Sequence, residues 1–228
     1  MTLEVRRRFH EDLDALEKEI LQMGQQAEEA VAKAVRALVH CDDVMAQEVI
    51  EGDDEIDDTY LDIEQRVLDL IATQAPVAMD LRLLSAILHI NLDLERVGDQ
   101  SVNVAKMTRA TIDLPRSDIV IRQLAEMGDV VCTMLRTAME AFAMRNKALA
   151  EQLPEMDEPV DRLNRNMYRE VIGFSADPLL LEWGIHMNLV ARYIERVGDR
   201  AVDIGEQVEF LATGEFLEFT DASHPQEP

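Results

Sequence analysis

Glycine, proline and aromatic residues are scarce in this chain, and their scarcity argues against a β-rich fold. Of 228 residues, only 9 are glycine and 7 are proline, and 4% are Phe, Trp or Tyr. Most of the prolines lie between segments in which apolar residues recur every three or four positions. Apolar residues make up 47% of the chain. This composition favours long helices, in a chain large enough for one or two domains with buried cores.

Cysteines are also few, and no long apolar run is present. Cys41 and Cys132 have no partner at CxxC spacing, as expected for a reduced cytoplasmic protein. The three arginines near the N-terminus are not followed by an apolar segment, so the sequence predicts no secretory signal. No apolar run approaches the roughly 18 residues that a membrane-spanning helix needs. We therefore expect a cytoplasmic protein that does not insert into the membrane.

Basic residues are outnumbered by acidic ones, 22 against 46, which gives a formal net charge of −24. Nucleic acid is excluded as a partner, because its phosphates require a basic surface. Attraction to an anionic membrane leaflet is excluded for the same reason. Basic protein surfaces and cations are the expected partners.

Catalytic motifs are missing as well. The chain contains no Glu-x-x-His pair of the di-iron bundles, no zinc-protease helix, no P-loop and no EF-hand loop. His89 and His186 stand alone, at unequal distances from the acidic motifs described below. Since no nucleophile–base arrangement is visible, we expect neither an enzyme nor an organic cofactor.

Apolar periodicity predicts six long helices, at about residues 5–40, 42–73, 77–108, 117–145, 147–172 and 178–212. The fifth is the least regular, because Pro154 and Pro159 should delay or kink its start. The last has a clear apolar seam for packing against neighbouring helices, formed by Trp183, Met187, Val190, Ile194, Val197, Ala201 and Ile204.

The second half of the chain repeats the first. Met23-Gly24 corresponds to Met127-Gly128 at an offset of 104, and the pentapeptide Glu-Arg-Val-Gly-Asp at 95–99 recurs at 195–199. Short connections and six helices predict an all-α fold of two tandem, pseudo-symmetric antiparallel three-helix bundles. We place the first bundle at residues 1–113, the second at 114–212 and a flexible C-terminal tail at 213–228.

Each pentapeptide directs two carboxylates to one face of a helix, because residues four apart lie on the same side. A second acidic pair at the same spacing occurs on the preceding helix of each half. Counting from the helix connections places the two pairs level in the first half, and about one to one and a half turns apart in the second. We hypothesise one metal site per bundle, built from Asp53, Asp57, Glu95 and Asp99, and from Asp157, Asp161, Glu195 and Asp199.

Oxygen-only ligands indicate a hard ion such as Mg²⁺, Ca²⁺, Mn²⁺ or an iron state that prefers oxygen. Asn103 and Asp203, four residues further along each helix, would extend the row of ligands. A structural interpretation remains open beside this one. In it, Arg96 and Arg196 of the two pentapeptides would neutralise nearby acids. Gly98 and Gly198 would mark close helix contacts, since glycine costs about 1 kcal/mol of stability in a helix interior.

Three linked motifs resemble the PhoU family over about residues 5–212. They are the duplicated pentapeptide, the segment Gln-Ala-Pro-Val-Ala-Met-Asp-Leu-Arg at 74–82, and Ile-Glu-Gly-Asp at 50–53. The resemblance implies two symmetric three-helix bundles whose acidic pairs, in some members, hold multinuclear iron or other metal ions. Matched residue by residue, these pairs are the eight carboxylates named above.

The resemblance further implies a cytoplasmic, often dimeric and non-enzymatic negative regulator of the phosphate-starvation response. Such proteins couple the ATPase subunit of the high-affinity phosphate ABC transporter to a phosphate-sensing membrane histidine kinase, and so influence transcription. The expected assembly is a homodimer. An alternative is a metal-handling bundle, in which iron, manganese or magnesium at the carboxylates is the functional centre.

This chain departs from the family pattern directly after each pentapeptide. Many relatives have histidine where this chain has Gln100 and Arg200, and asparagine is commoner where it has Asp203. Asn103, the counterpart of Asp203 in the first half, keeps the usual residue. These positions are where metal choice or a partner contact is expected to differ.

Overall fold

The structure is a computed structural model that describes residues 3–219, and each regular element in this part of the chain is an α-helix. Six of the helices are long, and α5 is a single turn. None of the described helices combines the length and the apolar character needed to cross a membrane. The helices are α1 Leu3–His40, α2 Asp43–Gln74, α3 Met79–Ala110, α4 Asp118–Met144, α5 Lys147–Ala150, α6 Leu153–Ile172 and α7 Pro178–Thr213.

The predicted fifth helix, 147–172, is divided into α5 and α6. The Asn146 side chain accepts a hydrogen bond from a backbone N–H of α5 and begins that helix. Pro154 then lies in the first turn of α6, where a residue without a backbone N–H is tolerated. The prediction of one continuous helix is therefore wrong at its start, and Pro154 marks the position of the break. Pro159 lies inside α6.

The long helices form two three-helix bundles, α1–α2–α3 and α4–α6–α7, with α5 packed on α4 and α7. Because α3 packs along α7 and α1 along α4, the bundles share one continuous hydrophobic core. This confirms the all-α fold of two three-helix bundles. The seam predicted for the last helix is buried at all seven positions: Trp183, Met187, Val190, Ile194, Val197, Ala201 and Ile204.

A pseudo-twofold axis relates the halves. A Cβ atom on Gly24 would lie 2.8 Å from the Met139 side chain, and one on Gly128 would lie 2.8 Å from the Val35 side chain. Gly128 and Met139 follow Gly24 and Val35 by the repeat offset of 104 residues. The two contacts are thus symmetry mates, and α1 and α4 run antiparallel with only a hydrogen atom between helix and side chain at each glycine.

The segment after α7 returns to the bundle, which differs from the flexible tail predicted for residues 213–228. The Phe216 ring stacks on Phe210 with ring centroids 4.1 Å apart. The Phe219 N–H donates to Glu206 Oε1 at 2.7 Å, and the Phe219 ring packs against the core. Packing of the Phe219 ring against the core therefore holds this segment, together with the stacking of Phe216, which is otherwise 72% exposed, on Phe210. The rest of the predicted tail, 220–228, lies outside the described residues.

Candidate functional site

The first acidic cluster consists of Asp53 and Asp57 on α2 and Glu95 and Asp99 on α3. The structure brings these four predicted residues together. Burial raises the pKa of Asp53 to about 6, and the nearby carboxylates of Asp57 and Asp99 add to the rise. Burial also raises the pKa of Glu95, followed by the effects of Asp99 and Asp57. Each carboxylate is thus within electrostatic reach of others on the neighbouring helix.

The second acidic cluster consists of Asp157 and Asp161 on α6 and Glu195 and Asp199 on α7. It is more deeply set than the first, because the Asp157 and Asp161 residues are only 6% and 8% exposed. Burial raises the pKa of Asp199 to about 6, and Glu195 adds to the rise while Arg200 opposes it. The cluster lines a cavity of about 500 Å³, which Phe219 of the C-terminal segment also lines.

The offset of one to one and a half turns predicted for the second cluster is wrong. A Cβ on Gly98 would lie 2.8 Å from Asp53 Oδ1, and a Cβ on Gly198 would likewise contact Asp157 Oδ1. The two clusters therefore share one register. Residues 173–177 supply the length that counting along the helices left out between the second acidic pair on α6 and α7. They follow α6 as tight turns, with backbone hydrogen bonds between residues three apart.

The same contacts confirm that the motif glycines mark close helix approach. At Gly98 and Gly198, a side chain would press on the first carboxylate of the acidic pair on the adjacent helix. A glycine in the middle of a helix loses about 1 kcal/mol relative to alanine. Here the missing side chain leaves room for the carboxylate of Asp53 or Asp157 beside the backbone of α3 or α7.

Arginines form ion pairs with the second acidic cluster but not, within the described residues, with the first. In the second cluster, Arg165 Nη1 lies 3.1 Å from Asp161 Oδ2, and Arg192 Nη1 lies 3.4 Å from Glu195 Oε1. Within residues 3–219, none of the four carboxylates of the first cluster takes part in an ion pair of this kind. The motif arginines, Arg96 and Arg196, also form none of the ion pairs found there. The expectation that they neutralise the acids through direct pairing is therefore not met.

Arg200, which follows the second pentapeptide, forms ion pairs that connect the two halves of the chain. Its Nη1 atom lies 3.3 Å from Asp93 Oδ1 on α3 and 2.7 Å from Asp203 Oδ2 on α7. Asp203 thus pairs with a guanidinium group, in addition to lining the cavity of the second cluster. Burial raises the pKa of Asp93 to about 6, Asp203 adds to the rise, and Arg200 opposes it.

Asp93 was not among the residues singled out from the sequence, although a signal for it exists. It lies three residues after Ile90 and four before Val97, and both of these belong to the apolar face of α3. A charged residue at such a position must face a neighbouring helix. Its 6% exposure agrees with this, and a buried carboxylate of this kind requires a charged or hydrogen-bonding partner.

The donor chemistry of both clusters fits a hard cation, since all eight predicted ligands are carboxylates. In the side-chain arrangement of residues 3–219, however, no three Asp, Glu, His or Cys side chains gather closely enough to hold a metal ion. The first cluster fits better, because Asp57 and Asp99 are exposed and free of ion pairs within these residues. Metal binding stays a prediction for both clusters.

Comparison with known proteins matches both halves to one family model. The PhoU domain model matches residues 20–108 and again residues 124–208. The chain belongs to the PhoU family. A phosphate-specific transport system accessory protein PhoU homolog of Clostridium acetobutylicum is 34% identical to it over 218 residues, which are 95% of this chain and 99% of that relative. The homolog of Rhizobium meliloti is 35% identical, over 90% of this chain and 87% of the relative.

Solved PhoU structures share the fold. The crystal structure of PhoU from Pseudomonas aeruginosa matches with a TM-score of 0.85 and 32% identity, over 91% of this chain and all of that one. The phosphate transport system regulatory protein PhoU from Streptococcus pneumoniae matches with a TM-score of 0.86 and 29% identity, over 92% of this chain and all of that one. The names of these PhoU relatives describe accessory and regulatory roles.

Proposed function

We propose that this PhoU-family chain is a non-enzymatic negative regulator of phosphate uptake and of the phosphate-starvation response. It would couple the ATPase subunit of the high-affinity phosphate transporter to a phosphate-sensing histidine kinase. The proposal rests on one observation: relatives named as accessory proteins of phosphate-specific transport align with nearly the whole chain. A cytoplasmic location and a homodimeric assembly belong to the same proposal.

The surface chemistry supports a role in protein docking. A net charge of −24 favours partners with basic surfaces, and it speeds their encounter at low ionic strength. The two halves present related but unequal acidic faces on one continuous hydrophobic core. Two such faces suit an adaptor that contacts two different proteins.

Deletion of the gene tests the regulatory role. We expect a phosphate-starvation reporter to become active in phosphate-rich medium after deletion, and to fall silent again when the wild-type gene is restored. A reporter that stays silent in the deletion strain would contradict the proposal. Co-purification with the ATPase subunit, and separately with the kinase, then tests each of the two partners.

The first acidic cluster favours a second candidate function, in which the bundles bind metal. Its four carboxylates lie on adjoining helices, repel one another and form no ion pair within the described residues. A hard cation would relieve this repulsion. When bound, it would bring Lewis acidity or, as iron, redox chemistry, while the carboxylates would position it.

Elemental analysis of protein purified without chelator tests metal binding. We expect iron, manganese or magnesium in the wild-type protein, and its loss in Asp99→Ala/Asp199→Ala. The control is Asp14→Ala/Asp129→Ala, which removes the same charge from exposed sites on α1 and α4. Equal metal content in all three proteins would contradict the assignment. Uptake and oxidation of iron in many-fold excess would identify metal handling as the main role.

A further inference from the structure

A cleft between α3 and α7, at the pseudo-twofold axis, gathers positive charge in an otherwise strongly acidic protein. It has a volume of about 320 Å³ and is lined by Arg96, Gln100, Arg196, Asp199 and Arg200. The three guanidinium groups come from both halves of the chain. We propose that this α3–α7 cleft binds a protonated phosphate group, with hydrogen phosphate as the simplest such ligand.

Two of the guanidinium groups are available to a ligand. Arg200 is held by Asp93 and Asp203, but Arg96 and Arg196 are exposed and form no ion pair within residues 3–219. The planar guanidinium fork matches two oxygen atoms of a phosphate group, and such charge-assisted hydrogen bonds are the stronger kind. An anion between Arg96 and Arg196 would therefore receive donors from both helices.

Acceptor groups in the cleft explain why the ligand should carry a proton. The Gln100 Oε1 atom is buried and has no hydrogen-bond partner among the described residues. A buried acceptor that is left without a donor destabilises the protein, and a ligand that donates a hydrogen bond to it removes this penalty. The Asp199 carboxylate is a second acceptor in the same cleft. Hydrogen phosphate has an O–H group to donate to one of them near neutral pH, whereas sulfate has none.

Isothermal titration calorimetry with orthophosphate, in buffer containing EDTA, tests the cleft. We expect wild-type protein to bind phosphate, and Arg96→Gln/Arg196→Gln to weaken the affinity about tenfold or more through lost charge-assisted hydrogen bonds. The matched control is Arg66→Gln/Arg136→Gln, which removes the same charge from pairs on the outside of the bundles. It should bind phosphate like wild type. Circular dichroism establishes that each variant is folded.

Further measurements separate the possible sources of the phosphate group. The affinity for sulfate should be lower than the affinity for phosphate. Gln100→Leu should reduce this difference in affinity, because it removes an acceptor for the phosphate O–H group. ADP and ATP are titrated in parallel: tighter nucleotide binding that phosphate displaces assigns the cleft to nucleotide phosphates, and its absence assigns it to free phosphate.

Three results would overturn the proposal. They are no phosphate or nucleotide binding by the wild-type protein, equal weakening in the control pair, and binding that is seen only when EDTA is omitted from the buffer. The last would mean that a metal ion holds the anion. These assays use purified protein, so their failure is distinct from failure of the reporter experiment.

Discussion

The two halves hold equivalent helices together with ion pairs of opposite polarity. In the first half, Asp43 at the start of α2 lies 2.7 Å from Arg109 Nε on α3. In the second half, Lys147 at the start of α5 lies 2.6 Å from Glu209 on α7. Lys147 follows Asp43 by 104 residues and Glu209 follows Arg109 by 100, which are the repeat offsets. Both residues of the pair have the opposite charge in the second half, so the attraction between the helices is kept although the charge of each residue is reversed.

The reversal also separates correct from incorrect helix pairing. If α2 were to pack on α7, Asp43 would face Glu209, and if α5 were to pack on α3, Lys147 would face Arg109. Like charges in contact disfavour both arrangements. The pairs differ in burial as well: the Glu209 side chain is 1% exposed, whereas those of Asp43 and Arg109 are 49% and 41% exposed. We therefore expect the second half to depend more on its ion pair for stability than the first half does.

Charge reversal at these pairs should have the largest effect. Lys147→Glu places a second carboxylate beside the buried Glu209, and we expect it to lower the urea midpoint far more than Asp43→Lys does. Lys147→Glu/Glu209→Lys should recover much of the loss, because it restores opposite charges. Equal effects of the two single variants would show that burial of the pair does not distinguish the halves.

Substitution of the motif glycines should have the next largest effect. Gly198→Ala presses on the buried Asp157 and should cost about 1–3 kcal/mol of unfolding free energy. Gly98→Ala should cost less, because Asp53 is only half-buried and the helix gains about 1 kcal/mol, although the added Cβ would also lie 3.3 Å from the buried Ile56 side chain. Gly52→Ala in α2, where a Cβ would meet nothing within 4 Å, is the stabilising control. Urea unfolding measures all three, and equal values at 98 and 198 would contradict the difference in burial.

Acidification should stabilise both halves. Asp53 and Asp199 have pKa values of about 6 against an ordinary value of 3.8. The folded state therefore binds more protons than the unfolded state between these values, so this stabilisation is lost as pH rises through 6. We expect EDTA-treated protein to unfold at higher urea at about pH 5 than at pH 7. Asp53→Asn and Asp199→Asn should each remove part of that gain, and an unchanged pH response in both would refute the assignment.

The smallest effect should come from making the second cluster resemble the first. Arg165→Gln/Arg192→Gln frees Asp161 and Glu195 from their exposed partners and should change stability by about 0–1 kcal/mol. If the clusters bind metal, Mn²⁺ affinity should rise a few-fold at the second cluster. Arg162→Gln, which removes a pair with Glu158 on the same helix, is the control. No change in affinity would show that the arginines do not compete with a cation.

Periodicity was enough to predict the helices and their buried faces, since each core position repeats every three or four residues. It did not show that the fifth predicted helix is interrupted at Glu151 and Gln152, although Pro154 indicated an irregularity near its start. The first acidic cluster followed from counting residues, because its connection is short. The register of the second cluster could not be predicted without the turns at 173–177. The ion pair of Arg200 with Asp93 depends on packing between the two halves, which no local sequence pattern encodes.

The packing of α3 along α7 also has an evolutionary meaning. A polypeptide with one half alone could build the α3–α7 cleft only by pairing with a second copy of itself, and both sides would then be identical. Joining the copies in one chain lets each side mutate separately. Gln100 in the first half where the second has Arg200, and Asp43 where the second has Lys147, are differences that a symmetric pair of identical chains could not hold.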